Sequence, residues 1–208
     1  MNVLAELERW LPAGVREQVQ RVGLLADEGG VRCCLVGGPV RDLLLGEVSL
    51  DLDIVVEGDS VEVAQALASA CGVRPVIHRD FGTATVEVGV AHIDLVTARD
   101  ETYELPGALP TVRPGTIEED LFRRDFSINA MAVVLNRDGR GDVLDPHSGR
   151  RDLEHGVLRV LHEASFIDDA TRILRGVRYE QRFGFSFDPR TLGLLSRDMH
   201  YLETISGD

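Results

Sequence analysis

Hydrophobic and polar positions alternate along this chain with two different periods, and the period changes mark its elements. Residues 14–28 (GVREQVQRVGLLADE) carry apolar groups at helical spacing and run into Gly29-Gly30, a helix stop. Residues 31–36 (VRCCLV) read as a buried strand. Pro39 suits the first turn of a helix, and residues 40–45 form that short helix up to Gly46. Residues 51–56 (DLDIVV) are a second strand, and Asp59 or Ser60 caps a helix through about Ala70. Strands are expected at 73–78, 83–88 and 91–96, the last two as a hairpin about Gly89. Residues 99–117 are rich in Pro and Gly with mixed charges and read as a long loop. Helical spacing returns at 118–130, strand character at 131–135, and a helical pattern from about Arg150. That last region holds one strong helix at 168–183, stopped by Gly184, and another beginning near Asp188-Pro189. Strands first and helices last predict an α+β head followed by a helical extension.

The 208 residues are 44% hydrophobic, enough for one sizeable core and a second small one. With 22 basic against 35 acidic residues the net charge is -13, the wrong sign for a chain whose whole surface grips nucleic acid. Any such contact falls to a local basic patch or to residues outside this chain. Cys33, Cys34 and Cys71 offer no disulfide framework and no zinc spacing, which fits a reducing cytoplasm. The N-terminus does not read as a signal peptide, and no apolar run is long enough to span a membrane.

Candidate chemistry concentrates between Leu35 and Glu57. Strand residues i and i+2 share a face, so Asp51 and Asp53 point together while Leu52 turns into the core. Two adjacent acids repel unless a cation lies between them, which predicts a divalent metal. Read alone, D-x-D is also a solvated edge-strand face or a sugar-nucleotide glycosyltransferase metal motif. Upstream, Gly37-Gly38 is either a tight turn or a place where backbone N–H groups approach a triphosphate. It matches neither the Walker loop nor the dinucleotide fingerprint. Arg41 next to Asp42 is a structural ion pair or a phosphate contact. Asp94, inside the apolar run HIDLV, is a third carboxylate of the metal site or a structural acid paired with an arginine.

Two further motifs lie downstream. In RRDFSINA, residues 123–130, Arg123 or Arg124 contacts phosphate or ribose, Asp125 accepts from a sugar hydroxyl, and Asn129 looks buried. The plainer reading is a salt-bridged helix end. In DDATR, Asp169 and Arg172 stand three apart on a helix and share a face. Spacing alone favours a surface ion pair over recognition of a nucleobase by an acceptor edge and an arginine fork. Arg175, Arg178 and Arg182 extend a basic stripe interleaved with Tyr179 and Phe183, a candidate surface for a phosphate-bearing partner.

Taken in order, LVGGPVRDLLLG, DLDIVV, RRDFSINAMA, DPHSGRRDLEHGVLRVL and DDATRILRGVRYEQRFGF resemble the class II tRNA nucleotidyltransferase and poly(A) polymerase family, a branch of the DNA polymerase beta-like nucleotidyltransferases. The resemblance runs from about Val31 to Phe187. It implies a nucleotidyltransferase head over residues 1–150, a mixed sheet flanked by helices, and the start of an all-helical neck over 151–208. It implies that Asp51 and Asp53 bind catalytic magnesium (Mg2+), with Asp94 a further catalytic candidate. Gly37, Gly38 and Arg41 would serve the nucleotide phosphates, and Arg123, Arg124, Asp125 and Asn129 the ribose and triphosphate. Arg175 and Arg178 join the nucleotide-binding set. Asp145 and Gly149 would be the hinge between head and neck. Asp169 and Arg172 would read incoming CTP or ATP, with Asp168 standing where the family usually has Glu. The segment near Arg99–Tyr103 would help switch nucleotide choice.

The implied activity is template-independent addition of CMP and AMP to the tRNA 3′ end, CCA addition first and A addition or poly(A) synthesis next. A nucleotide-binding module without turnover is the reading from another class. Because the chain ends at ETISGD, inside what looks like the neck, a truncated chain is expected, with much of the tRNA grip beyond residue 208.

Overall fold

The computed structural model describes residues 1–103 and 110–204. It opens with α1 (Leu4–Trp10), which the hydrophobic pattern did not mark, and α2 (Ala13–Glu28). Helix α2 buries Val15, Val19, Val22 and Ala26, one stripe at helical spacing. Then follow β1 (Arg32–Val36), α3 (Gly38–Leu45), β2 (Asp51–Glu57) and α4 (Ser60–Cys71). Asp59 caps α4 by accepting from the backbone N–H groups of Val61 and Glu62. The strand expected over 73–78 is reduced to β3 (Val76–His78), while β4 (Thr83–Val88) and β5 (Ala91–Thr97) form the expected hairpin.

The expected loop at 99–117 is not one among the described residues, and its residues 104–109 lie outside them. It contains β6 (Arg99–Thr102) and β7 (Thr111–Pro114), paired antiparallel into a two-stranded arm. Asp100 and Arg113 face each other in this register and form an ion pair at 2.8 Å. The backbone ladder and this one charged cross-strand pair hold the arm where an apolar face is lacking, so hydrophobic alternation could not reveal it.

The helix expected over 118–130 also differs. Helix α5 (Ile117–Phe122), opened by a capping box between Thr116 and Glu119, ends before the RRDFSINA motif is complete. Phe126 is extended, and Ser127–Asn129 make one 3-10 turn. Here side chains compete with the helix for backbone groups: Asp125 Oδ1 accepts from the Phe126 N–H at 2.8 Å.

Strands β8 (Ala132–Val134) and β9 (Val143–Leu144) complete a seven-stranded sheet in the order β3-β4-β5-β2-β1-β8-β9. Only β2 and β5 pair in parallel, so the sheet is mixed. After α6 (Gly149–His155) come β10 (Val157–Leu158), α7 (Ser165–Asp168), α8 (Thr171–Phe183), β11 (Ser186–Phe187) and α9 (Pro189–Asp198). The short β10 and β11 pair in parallel and interrupt the helical run. None of the described helices is long and apolar enough to cross a membrane.

The sheet separates two hydrophobic clusters. Leu52, Ile54 and Val56 of β2 join the main cluster with α2 and α4, and the same cluster reaches Phe166, Ile173 and Leu194. Val55 turns to the other face and packs with Cys34, Val36, Ile117 and Leu121. Asp51 and Asp53 therefore share the face of Val55, on the stretch of β2 that α5 leaves uncovered. The architecture is α+β, as the order of elements predicts.

Candidate active site

Strand β2 delivers Asp51 and Asp53 to solvent while Leu52 between them is buried. Neither carboxylate has a hydrogen-bond or ion-pair partner among the described residues. The walls of the cleft partly desolvate the Asp53 carboxyl, although the residue stays open to solvent, and raise its pKa; Arg124 opposes the shift, and the Asp94 and Asp51 charges add to it. An unpartnered pair of like charges on a rigid strand is a seat for a cation. Among the described residues no three acidic, thiol or imidazole groups converge on one point. That donor set fits magnesium, which takes one or two protein carboxylates and completes its shell with water and phosphate oxygens.

Asp94 stands beside Asp53 in the β2–β5 register. Its partner is not an arginine. Thr85 donates to Asp94 Oδ1 at 2.5 Å, and His92 Nε2 lies 3.6 Å from the same oxygen. A threonine on the neighbouring strand thus holds the acid that sequence reading placed between a ligand and an arginine pair.

Gly37 and Gly38 join β1 to α3 beside this floor. Gly37 has φ +72°, and a Cβ there would lie 2.6 Å from Arg124 Nη1. The positive φ is what requires glycine, and the bare Cα also leaves room for the guanidinium that Asp120 holds there. Gly38 starts α3, which carries Arg41 inward. Arg41 is buried and spends its fork on two partners: Nε and Nη2 donate to Asp42 Oδ1 at 2.9 and 2.7 Å, and Nη1 donates to Asn129 Oδ1 at 2.6 Å. Its guanidinium also lies over the rings of Tyr179 and Phe183. Asn129 Nδ2 donates to Asp125 Oδ1 at 3.0 Å. Arg175 Nη2 stands 2.8 Å from Asp125 Oδ2, an ion pair without hydrogen-bond alignment. A polar chain thus connects α3 through the RRDFSINA segment to α8.

Arg123 and Arg124 share one anchor, which the sequence reading missed. Asp120 is completely buried. Its Oδ1 accepts from Arg123 Nε and Nη2 at 2.9 and 2.7 Å, and its Oδ2 accepts from Arg124 Nε and Nη2 at 3.3 and 2.9 Å. The spacings i,i+3 and i,i+4 were visible, but Glu118, Glu119 and Asp120 stand in a row, and only burial selects the third.

The expected shared helix face of Asp169 and Arg172 is corrected. The helix over 168–183 is broken, with Asp169 extended between α7 and α8. Asp169 Oδ1 accepts from the Thr171 backbone N–H at 2.9 Å, a local bond that pulls the residue out of helical geometry. Its Oδ2 remains 3.8 Å from Arg172 Nε. Arg172 is buried, donating to Ser165 Oγ at 2.8 Å and to the Arg123 carbonyl at 2.7 Å. Arg178 has no ion-pair partner among the described residues.

The β6–β7 arm adds Glu101 and Tyr103. Glu101 Oε1 accepts from Arg123 Nη1 at 3.1 Å, and the Tyr103 hydroxyl donates to Glu101 Oε2 at 2.8 Å. Burial and that bond push the Tyr103 pKa up to about 12, so it stays a neutral donor. Away from the cleft, Asp145 accepts from the N–H groups of Gly149 and Arg150 at 2.6 and 3.1 Å. A Cβ on Gly149 would lie 2.0 Å from the Ser127 carbonyl, so this glycine lets α6 abut the RRDFSINA turn.

These elements enclose a cleft of about 630 Å³. Eight arginines line it against four acids, so a chain with net charge -13 keeps a cationic interior here. Asp53 lines it from the sheet, Arg41, Arg123, Arg124, Arg172, Arg175 and Arg178 surround it from the helices and their flanks, and Asp51 is not among the lining residues. A floor that seats a cation and a wall of arginines suit a polyphosphate with its metal.

Comparison with known proteins agrees with that chemistry. An A-adding tRNA nucleotidyltransferase of Halalkalibacterium halodurans is 46% identical over 85% of this chain and 42% of its own length. A CC-adding tRNA nucleotidyltransferase of Deinococcus radiodurans is 46% identical over 76% of this chain and 42% of its own. A solved CCA-adding enzyme in an apo form superposes with a TM-score of 0.93 at 42% identity, covering all of this chain and 50% of that one. The chain thus spans half or less of the length of the proteins it matches. Residues 33–159 match the family described as the poly A polymerase head domain, and the chain belongs to that family.

Proposed function

We propose that this chain carries the catalytic head of a template-independent nucleotidyltransferase that adds nucleotides from ATP and CTP to the tRNA 3′ end. The observation that carries the reading is the meeting of an unpartnered carboxylate pair, of which Asp53 lines the cleft and Asp51 shares its strand face, with a preset arginine wall. The relatives' names point to the same RNA, and they differ in what they add. We read residues 1–150 as the head and 151–208 as the beginning of the neck.

Magnesium ions held by Asp51 and Asp53 would lower the pKa of the attacking 3′-hydroxyl and neutralise charge on the leaving pyrophosphate. The residues of this chain do the rest. Gly37 lets the backbone and Arg124 approach the triphosphate together. Arg123 and Arg124, fixed by Asp120, meet its charge without having to reorganise. Asp125 and Asn129 present polar atoms toward the ribose. Asp169 offers a carboxylate oxygen and Arg172 a clamped guanidinium to the edge of the base, so choice of nucleotide rests on protein side chains. A fork held by Ser165 and a backbone carbonyl discriminates better than a free one.

A-addition is the narrower reading favoured by the first of these relatives. Incubation with tRNA ending before CCA, at C, and at CC, with labelled ATP or CTP, tests both levels. Extension of the CC end by AMP alone supports an A-adding enzyme, and growth from the shorter ends through to the terminal AMP supports CCA addition. Binding of ATP without extension of any end, in this chain and in a version with the neck extended, would leave a nucleotide-binding module instead.

A further inference from the structure

A second cavity, of about 540 Å³, opens beside α6, away from the catalytic cleft. Arg151, Arg159, His147, His155 and Ser148 line it. The acid at its base, Asp152, is buried and already engaged. Its carboxylate accepts from Ser127 Oγ at 2.6 Å and from Arg159 Nε and Nη2 at 2.9 and 3.2 Å. Arg151 is exposed, and its guanidinium has no partner among the described residues. An acidic chain has thus left one guanidinium un-neutralised at the wall of a concave site.

His147 belongs to a second feature as well. Its ring lies 5.6 Å from that of Phe122, and the His162 ring lies 5.4 Å from the same phenyl group. Phe122 ends α5 and is 49% exposed, so an aromatic ring meets solvent with two imidazoles beside it. Burial lowers the pKa of both histidines, and the Arg172 charge lowers that of His162 further. Both rings are therefore uncharged near neutral pH and serve as flat surfaces; Arg159 is held by Asp152 and Asp188, which leaves Arg151 as the unpaired cation lining the cavity. His162 lies 3.8 Å from Asp168, whose neighbour Asp169 lines the catalytic cleft. Phe122 precedes Arg123 of the cleft and His147 lines the Arg151 cavity, so this strip of three rings lies between the two.

The geometry points to this strip as a track for the 3′ strand of the acceptor RNA, with one base stacked on Phe122 and an upstream phosphate in the Arg151 cavity. The inference rests on the tRNA reading above and adds the route by which the strand reaches the cleft. Flat rings joined to a cationic cavity are the pattern by which single strands are held without reading their sequence. A free nucleotide would not need both features, and it already has a site in the cleft.

The test uses a labelled RNA minihelix ending in CC, read by fluorescence anisotropy, beside separate titration of a fluorescent ATP analogue. Phe122→Ala should weaken RNA binding about tenfold, the loss of one stacked base, and Phe122→Tyr should restore it. Arg151→Ala should weaken RNA binding and flatten its salt dependence by about 0.7 in slope, one phosphate contact. Affinity for the ATP analogue should not change in any variant. Should the alanine variant at Phe122 fail to fold, the Arg151→Ala salt slope decides alone. Wild-type binding of RNA with undiminished binding in the Phe122→Ala and Arg151→Ala variants overturns the track and leaves the tRNA reading standing. No binding of RNA either by this chain or by a version with the neck extended removes both. Equal loss of ATP-analogue affinity also overturns the track, because the strip would then belong to the nucleotide site.

Discussion

On the sheet side, Asp53 lines the cleft and Asp51 stands two residues before it on the same face of β2, both exposed and with no partner among the described residues. On the helical side, Arg41, Arg123 and Arg172 each bind two partners within the protein. The difference lies in who completes each side. A strand ladder fixes two like charges at a spacing set by the pleat, and only a cation from outside relieves them. The arginines have had their geometry settled by folding, so a ligand meets donors already aimed. One side is defined by what it lacks, the other by what it has already satisfied.

The first way to break the comparison is to remove the floor's demand. Asp53→Asn or Asp51→Asn keeps the shape and deletes one charge. Incorporation of labelled nucleotide should fall by about 1,000-fold or more, the scale of losing metal-assisted charge stabilisation. Thermal melting should show an intact fold. Incorporation near the wild-type rate would remove these carboxylates from the chemistry.

The next effect tests the wall. Asp120 is fully buried and holds two guanidinium groups, one on each oxygen. Asp120→Asn leaves both without their counter-charge. Breaking a buried pair costs about 3–5 kcal/mol, a melting-point drop of about 10 °C for a chain of this size. ATP affinity should fall in the same variant, because Arg123 and Arg124 lose their aim. A melting point and ATP affinity equal to wild type would mean that the arginines are set by something else.

The same division explains what the sequence disclosed. The floor is local: alternation of Asp51, Leu52 and Asp53 states its own geometry, and the Gly37-Gly38 turn stands 14 residues upstream of Asp51 in plain view. The wall is non-local. Arg41 meets Asn129 across 88 residues, and Arg172 meets the Arg123 carbonyl across 49. No periodicity reports such pairs. Helix breaks at Asp125 and Asp169 escaped for a related reason, since a side chain that bonds its own backbone leaves the apolar spacing unchanged. The β6–β7 arm escaped because its backbone ladder and one charge pair, not buried apolar groups, hold it together.

A smaller effect sharpens the wall further. Arg172→Lys keeps the charge and loses the fork that spans Ser165 Oγ and the Arg123 carbonyl. Preference for ATP or CTP over GTP and UTP should shrink about tenfold, on the scale of one misplaced polar contact. The magnesium dependence should not move. An unchanged preference would return Asp169 and Arg172 to the structural ion pair that their spacing first suggested.

The smallest effect probes the floor without any catalysis. Burial raises the pKa of Asp53, Asp94 and Asp51 reinforce the shift, and Arg124 opposes it. A carboxyl whose folded pKa exceeds its unfolded value favours the folded state while protonated. That contribution is complete below the ordinary aspartate range and disappears as pH rises through the raised pKa. In metal-free buffer, the wild-type protein should therefore lose stability relative to Asp53→Asn as pH rises across and above that range. At low pH the difference between the two should be constant. Because the carboxyl faces solvent, the gap should be small, about 0.5 kcal/mol after screening. Magnesium should narrow the gap by binding the wild-type pair, whose charges it neutralises, more tightly than the variant. Urea denaturation of both proteins from pH 3.5 to 7, with and without magnesium, reads all three outcomes. Parallel curves across the whole range would show that the unpartnered carboxylates carry no strain, and the contrast between a floor awaiting a cation and a wall already satisfied would fail at its weaker side.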